Sequence, residues 1–509
     1  MKNFNLKKKR ILLVMQRDWG TRHGFEIAKK LNENEAEISA LVFKKSTEGY
    51  IRIQNEVNFQ HIINESEIEK NYKKIVKESN YTIKELLVDF GIDSIWETAF
   101  TLRQKSLSRK KKYPFSYEQS CTDDEIKEYI LAYAYKIKIF FIQFKPELII
   151  SYNFGDIRHL LLNKIANKNK TPMFCMSDTK VQNTHTFFYD VNMSKSFFHS
   201  KLKKLNDKKV QSKNSEKAIK YIKESRDKLK LPLHVKSLNL DKSIFDKSDL
   251  IILIKKIIRN LKLNSKELKE SETQEVKYLI RDFIQKKINT YQLRKFRYDK
   301  LEDIGKFVFF PLQHYPEAQL GLLNTIHENQ LNSAKIIARF LPNNLTLVVK
   351  NHPYNYEWRS RSFLMKLKNT PNVKVIDHKI SNFEVYKKMD YLVSPGGTAI
   401  FEAALEKKPA IQFGSLEIMN DLPNFFLLKN LEDISELIKL IDANFLAIKL
   451  NDDYERKIIN YVSSAYENGH DSTIYESDLR NNKANMDYIW NVYLREIKKI
   501  FKYYDKFTF

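Results

Sequence analysis

Cysteine is nearly missing from this 509-residue chain. Cys121 and Cys175 are its only two, which rules out a disulfide framework and a cysteine zinc site and fits a reducing compartment. Long apolar runs are missing as well. No window approaches the roughly 18 uninterrupted apolar residues of a membrane helix, and even the run 250–258 is broken by Lys255 and Lys256. Near the start, Lys7-Lys8-Lys9-Arg10 precedes five apolar residues, but Gln16-Arg17-Asp18 cuts that run short of a signal-peptide core and no small-residue cleavage site follows. Acid is the scarcer charge: 63 Asp and Glu stand against 88 Lys and Arg, a formal net charge of +25. The chain therefore reads as soluble and cytoplasmic, with any membrane contact peripheral at the inner face of the cytoplasmic membrane. Its charge favours anionic partners, namely nucleic acid, an anionic membrane surface or phosphorylated substrates. The plainer reading of the same excess is solvated lysine, since Lys, Asn and Ile are abundant throughout.

What is present is enough apolar residue, 42% of the total, to build sizeable cores, and enough length for two or three domains. A strand at 11–15, a polar loop, a helix from Phe25 and a second strand at 38–43 open a doubly wound α/β domain. Strands at 147–151 and 172–176 with a helix between them continue it. From about 195 to 300 glycine is absent, lysine is dense, and Leu279, Ile280, Phe283, Ile284 and Ile288 recur at helical spacing. A second run of strands follows at 307–310, 345–349, 373–376, 391–394 and 410–413, and the chain then reads as helical to its end. The expected organisation is an N-terminal Rossmann-like domain over 1–194 on the acceptor side, a lysine-rich helical insertion over 195–304, a C-terminal Rossmann-like domain over 305–430, and C-terminal helices over 431–509.

Three loops carry chemistry, and each follows a strand of the second domain, where an open parallel sheet binds its ligands. The first runs from Pro311 to Glu317 and includes Gln313 and His314. The second is Lys350-Asn351-His352-Pro353. Pro353 biases His352 toward an extended backbone, and Lys350 and His352 are two residues apart, so both would face one side if the strand continues. Two nitrogen donors there suit a phosphate. The third is Ser394-Pro395-Gly396-Gly397-Thr398, opening a helix that contains Glu402. Glycines between strand and helix let backbone N–H groups approach an anion at the helix N-terminus. With Thr398 as N-cap a capping box would need Glu or Gln at 401, which is Phe401, so Glu402 is left for another task, such as accepting hydrogen bonds from ribose hydroxyls.

Thr122-Asp123-Asp124-Glu125 has the look of a metal-binding cluster, but Thr122 and Glu125 fit a capping box, and no metal is expected. The run Arg109 to Lys112 is read as a solvated or membrane-facing loop, because no zinc spacing, helix-turn-helix or RNA-binding aromatic signature accompanies it; nucleic acid is not an expected partner. The basic, aromatic end from Lys498 to Tyr504 is the other expected membrane-facing segment.

Over about 305–425 the chain resembles the capsule polysaccharide synthesis family, which includes Kdo transferases. The resemblance rests on Phe310-Pro311-Leu312-Gln313, Pro316-Glu317, Gln330, Leu341-Pro342, Lys350-Asn351-His352-Pro353, Gly397-Thr398, Glu402-Ala403 and Lys408-Pro409, in that order. The His-Pro pair is also similar to that of bacterial sialyltransferases, in which the histidine contacts the phosphate of a CMP-sugar. The resemblance implies a GT-B fold with the nucleotide-sugar donor on the C-terminal domain and a polysaccharide or lipid-linked glycan acceptor on the N-terminal one. It favours CMP-sugars such as CMP-Kdo or CMP-sialic acid, and requires no cofactor. Donor-binding candidates are Gln313, Glu317, Lys350, His352, Pro353, Ser394, Gly396, Gly397, Thr398 and Glu402. An inverting transfer also needs a base for the acceptor hydroxyl; Asp18, His23, Asp156 and Asp178 are the candidates, all in strand-end loops of the first domain. Two other classes compete, a nucleotide-sugar epimerase of the UDP-N-acetylglucosamine 2-epimerase type and a basic non-enzymatic scaffold.

Overall fold

A computed structural model describes residues 5–101, 119, 121–208, 212–227, 244, 246–262, 274–315, 317–476 and 483–503. The first domain contributes strands β1 (Arg10–Met15), β2 (Glu37–Val42), β3 (Phe59–Asn64), β4 (Leu148–Ser151), β5 (Met173–Asp178) and β6 (Thr184–Phe188). The second contributes β7 (Phe307–Pro311), β8 (Thr346–Lys350), β9 (Val373–Ile376), β10 (Tyr391–Ser394), β11 (Ala410–Gln412) and β12 (Phe425–Leu427). A two-residue strand, β13 (His470–Asp471), returns to the first sheet. The orders are β13-β6-β5-β4-β1-β2-β3 and β12-β11-β10-β7-β8-β9. The second sheet is parallel throughout, and the first is parallel except where β6 meets β5 and β13. These are two Rossmann-like doubly wound sheets, the GT-B arrangement.

The reason lies in the strands themselves. Ile11, Leu12, Leu13, Val14 and Met15 are all fully buried, the continuous apolar run of a strand covered on both faces. Alternation splits them between two cores: Leu12 and Val14 pack into one cluster, Ile11, Leu13 and Met15 into the other. The first of these clusters runs on into the second domain, through Val308, Leu347 and Ile400.

Between the sheets the chain is helical, with Phe197–Lys208, Ser215–Asp227, Lys247–Lys262 and Val276–Arg294. The capping box at Thr122 forms: its hydroxyl accepts from Glu125 N at 3.2 Å while the Glu125 carboxylate accepts from Thr122 N at 2.9 Å. Strands β3, β6, β12 and β13 had no counterpart in the sequence reading; they are short or lie at sheet edges, where the apolar pattern is weakest.

The segment 431–509 splits its allegiance. Helix Asp452–Asn468 lies between the domains, and Tyr461 donates to Thr179 O at 3.0 Å in the first and sits 3.4 Å from Ile418 O in the second. Helix Lys483–Tyr503 crosses back and buries Ile489, Tyr493, Ile497 and Ile500 in the core beneath the first sheet. Part of the basic, aromatic end read as membrane-facing is occupied with packing: Ile500 is buried, and Phe501 lies under the Lys9 ammonium, 5.2 Å from the ring centre, while Lys498 and Lys502 are exposed. Arg109 to Lys112, Pro316 and Tyr504 lie outside the described residues. Among the described residues no helix is long and apolar enough to cross a membrane.

Because the final helix closes the first domain's core, Tyr493→Ala should destabilise that domain by about 3 kcal/mol or more, the usual cost of deleting a buried ring. Denaturant unfolding followed by far-ultraviolet dichroism measures it, and a loss under about 1 kcal/mol would show that the helix is only loosely attached.

Candidate functional site

In the second sheet β7 and β10 are neighbours, but the chain leaves them in opposite directions, toward β8 and β9 on one side and β11 and β12 on the other. Their following loops must part, which opens a crevice at the carboxyl end of the sheet. The β7 loop, Leu312 to Tyr315, is gripped by two buried amides. Gln330 accepts from Gln313 N at 2.6 Å and donates to Gln313 O at 3.3 Å. Asn355 accepts from Tyr315 N at 3.0 Å and donates to Tyr315 O at 2.8 Å. His314 is held between these clamps, with Nδ1 3.2 Å from Asn355 Oδ1.

On β10's side, Ser394 is fully buried and ties the turn together. Its hydroxyl donates to Gly396 O at 2.6 Å, and Oγ lies 3.3 Å from Gln313 Nε2, linking the two parting loops. Gly396 and Gly397 have φ of 147° and 101°, values that L side chains rarely adopt. A Cβ on Gly396 would stand 2.2 Å from Gln319 Nε2. Gly397, not Thr398, is the N-cap of helix Thr398–Leu405. The sequence reading placed the cap one residue late because glycine, unlike threonine, leaves no side-chain signature there.

The β8 loop departs from the strand geometry assumed in the sequence reading. Pro353 starts a short 3-10 turn, Pro353–Asn355, capped by His352 with backbone angles of −71° and 133°. Lys350 and His352 consequently meet different neighbours. The buried Lys350 ammonium donates to Ile380 O and Asn382 Oδ1, both at 2.5 Å. Burial pulls its pKa down to about 8 against the opposing pull of Glu402. His352 stacks on Tyr354, with ring centres 5.9 Å apart, and lies 5.6 Å from the His314 ring. Its Nδ1 accepts from Tyr354 N at 3.2 Å, which fixes the proton of the neutral ring on Nε2 and makes that edge a donor.

Glu402 is half-buried one turn into its helix and accepts from the Tyr386 hydroxyl at 2.5 Å. Burial raises its pKa, opposed by Tyr386 and Lys350. Glu317 is exposed and caps helix Ala318–Gly321 through its backbone only. Arg359, which the sequence reading missed, is 1% exposed beneath the loops, donating to Asn351 Oδ1 at 3.1 Å and Gln313 O at 3.0 Å. Asn355 and Tyr386 were missed as well. The four-residue spacing from Asn355 to Arg359 was the only signal of these partners, and it becomes legible only once the turn is known.

The four first-domain candidates separate. Asp156 caps helix Ile157–Lys168 and pairs with Arg158, whose Nη1 lies 2.7 Å from Glu65 Oε2; Tyr129 donates to that same carboxylate at 2.6 Å. Burial would raise the Asp156 carboxyl, but Arg158 and His159 hold it well below the carboxylate range. His23 is buried, its ring edge-on to Tyr475 at 5.2 Å. Asp18 is exposed on the helix after β1. Asp178 ends β5 with its side chain 42% exposed, accepting from Lys180 N at 2.7 Å. Tyr221, whose hydroxyl pKa is raised first by burial, feels the charges of both Asp178 and Glu402.

Residues 254–416 match the family described as "Capsule polysaccharide biosynthesis protein". The match spans about a third of the chain and takes in all three loops of the site. Solved structures resemble the chain more distantly. The Thermosulfurimonas dismutans KpsC beta Kdo 2,7 transferase has 12% identity over 68% of this chain and 81% of its own, with a TM-score of 0.30. The S. aureus MnaA–UDP structure has 9% identity over 92% and 95%, with a TM-score of 0.27. A Rickettsia africae glycosyltransferase has 13% over 98% and 100%, with a TM-score of 0.25. Likenesses this distant transfer no role to this chain. A comparison with curated proteins found no match.

Asp156 is bound into a buried ion-pair network, so Asp156→Asn should cost about 3 kcal/mol of stability at neutral pH by leaving Arg158 short of a counter-charge. The carboxylate's pKa is depressed in the folded protein, so its contribution is complete above the unfolded value of about 4 and is lost as pH falls below it. Thermal unfolding of both proteins between pH 3 and pH 7 tests this, and a stability gap that does not narrow toward pH 3 would refute it.

Proposed function

We propose that the protein is a glycosyltransferase that takes a sugar from a nucleotide-sugar donor, held at the carboxyl edge of the second sheet, and adds it to a cell-surface polysaccharide or lipid-linked glycan. The observation that carries this reading is the crevice between β7 and β10, where the Gly396–Gly397 turn opens a helix N-terminus beside loops bearing His314 and His352. Backbone N–H groups and the helix field meet a phosphate there, and the Nε2–H of His352 adds a donor without needing a net charge. Lys350 and Arg359 are turned inward, so the groups facing the crevice suit the single phosphate charge of a CMP-sugar better than a diphosphate. CMP-Kdo and CMP-sialic acid are donors of that class. The Lys350–Glu402–Tyr386 network supports the helix that carries the turn, and Glu402 would accept hydrogen bonds from the ribose hydroxyls.

Of the first-domain carboxylates we assign Asp178 as the base, because it is partly exposed at a strand end and is not bound into an ion-pair network as Asp156 is. The acceptor hydroxyl would lose its proton to Asp178, its oxygen would bond to the anomeric carbon, and the bond from that carbon to the phosphate oxygen would break. The electron pair leaves with the nucleotide, whose charge the helix N-terminus and His352 stabilise. No step calls on a metal. The strong basic charge fits a peripheral location at the inner face of the cytoplasmic membrane, where lipid-linked acceptors lie.

A thermal-shift series with CMP, UDP, GDP and dTDP should single out one nucleotide, with CMP expected. His352→Ala should weaken its binding about tenfold or more, in line with one lost charged or phosphate hydrogen bond. Unchanged affinity in a folded variant removes His352 from the site. Asp178→Asn should keep nucleotide affinity while transfer falls by about 10²–10⁴-fold, and transfer by the unaltered enzyme should survive EDTA. Full turnover in Asp178→Asn would exclude it as the base, and turnover of the sugar nucleotide without any acceptor would point instead to an epimerase.

A further inference from the structure

The helical region between the sheets concentrates exposed large apolar side chains on two helices. Helix Lys247–Lys262 leaves Leu250, Ile254, Ile258 and Leu261 between 43% and 65% exposed. At 100° per residue these positions fall within about 80° of one another, and Ile251, 50% exposed, extends the stripe. Helix Val276–Arg294 repeats the pattern with the same spacing: Ile280, Ile284, Ile288 and Tyr291 are 40–50% exposed. The two helices touch each other along other faces, where Asp249 pairs with Lys287, and both seat against Trp358 and Glu357. Neither stripe is used in that contact.

We propose that these two stripes form a docking surface for an anionic lipid membrane. The inference deepens the membrane location suggested above and moves it to a defined surface. Charge favours lipid over a second copy of the chain. Each helix carries five Lys or Arg and a single Asp, so two such surfaces brought together would set like charges against each other. An anionic bilayer complements them instead. On helix Lys247–Lys262, Lys255 and Lys262 border the apolar stripe, the arrangement in which long cationic side chains reach headgroups while the apolar face enters the acyl boundary. The helix has 16 residues and does not meet the requirements of a spanning segment. The docked state therefore lies in the interface plane.

The test uses the full chain and co-sedimentation with vesicles of phosphatidylcholine alone or with 30 mol % phosphatidylglycerol, at low and high salt. The variants are Ile254→Glu/Ile258→Glu and Ile284→Glu/Ile288→Glu, placed at exposed positions so that the fold is retained, as thermal unfolding and the nucleotide thermal shift would check. The unaltered protein should sediment with anionic vesicles at low salt and be released in part by salt. Each variant should partition at least roughly tenfold more weakly, because its apolar contact is replaced by charge of the lipid's own sign. Equal sedimentation of variants and parent would place the membrane contact elsewhere and overturn the assignment of the stripes. Failure of the parent to sediment would overturn the membrane location as well. A parent that is dimeric by light scattering, with monomeric variants, would show that a second copy covers the stripes. None of these outcomes bears on nucleotide binding, which tests the transferase reading separately.

Discussion

The binding edge of the second sheet depends on satisfying the buried backbone of one loop. Residues 312–315 leave β7 at the point where neighbouring strands diverge; Leu312 N still donates to Lys350 O at the end of β8, at 3.0 Å, but the N–H and C=O groups of Gln313 and Tyr315 are met by side chains instead. Left unpaired, each would cost on the order of 1–3 kcal/mol. Gln330 and Asn355 meet that need with both edges of their amides, one on Gln313 and the other on Tyr315. His314 is fixed as a consequence, and the Gln313 side chain is left to reach Ser394 and the glycine turn.

The buried cations form a second layer of the same design. Arg359 and Lys350 lie beneath the loops and donate mainly to carbonyl and amide oxygens. Neutral acceptors satisfy their hydrogen bonds, and a low-dielectric surrounding strengthens those bonds, so the two cations act by holding the loops in place. Lys350 bears the cost in its lowered pKa, and Glu402, with its carboxyl raised by burial, is the nearest partial counterweight.

The first domain is completed by chain that comes last. Helix Lys483–Tyr503 and strand β13 supply core and sheet edge to a domain whose other strands end near residue 188. The helix Asp452–Asn468 holds both domains at once through Tyr461. The placement of the two domains against each other is thus set in part by residues that come late in the chain.

Local physics made part of this legible in advance. Strands β1, β7, β8 and β10 are built on continuous apolar runs, and the box at Thr122 and Glu125 is a pattern of four residues, so the two-sheet fold and the three loops could be read from order and spacing alone. The fates of individual side chains could not. Pro353 turned the β8 loop into a 3-10 cap and so separated Lys350 from His352, and the capping position fell on Gly397 rather than Thr398. Asp156 went to Arg158, which it shares with Glu65, 91 positions before Asp156 in the chain. Arg359 became a buried support because Gln313 and Asn351 arrived above it from two other strands. Periodicity and turn chemistry are encoded within a few residues, whereas burial, counter-charges and the partners of a strand-end loop are decided only when distant segments pack together.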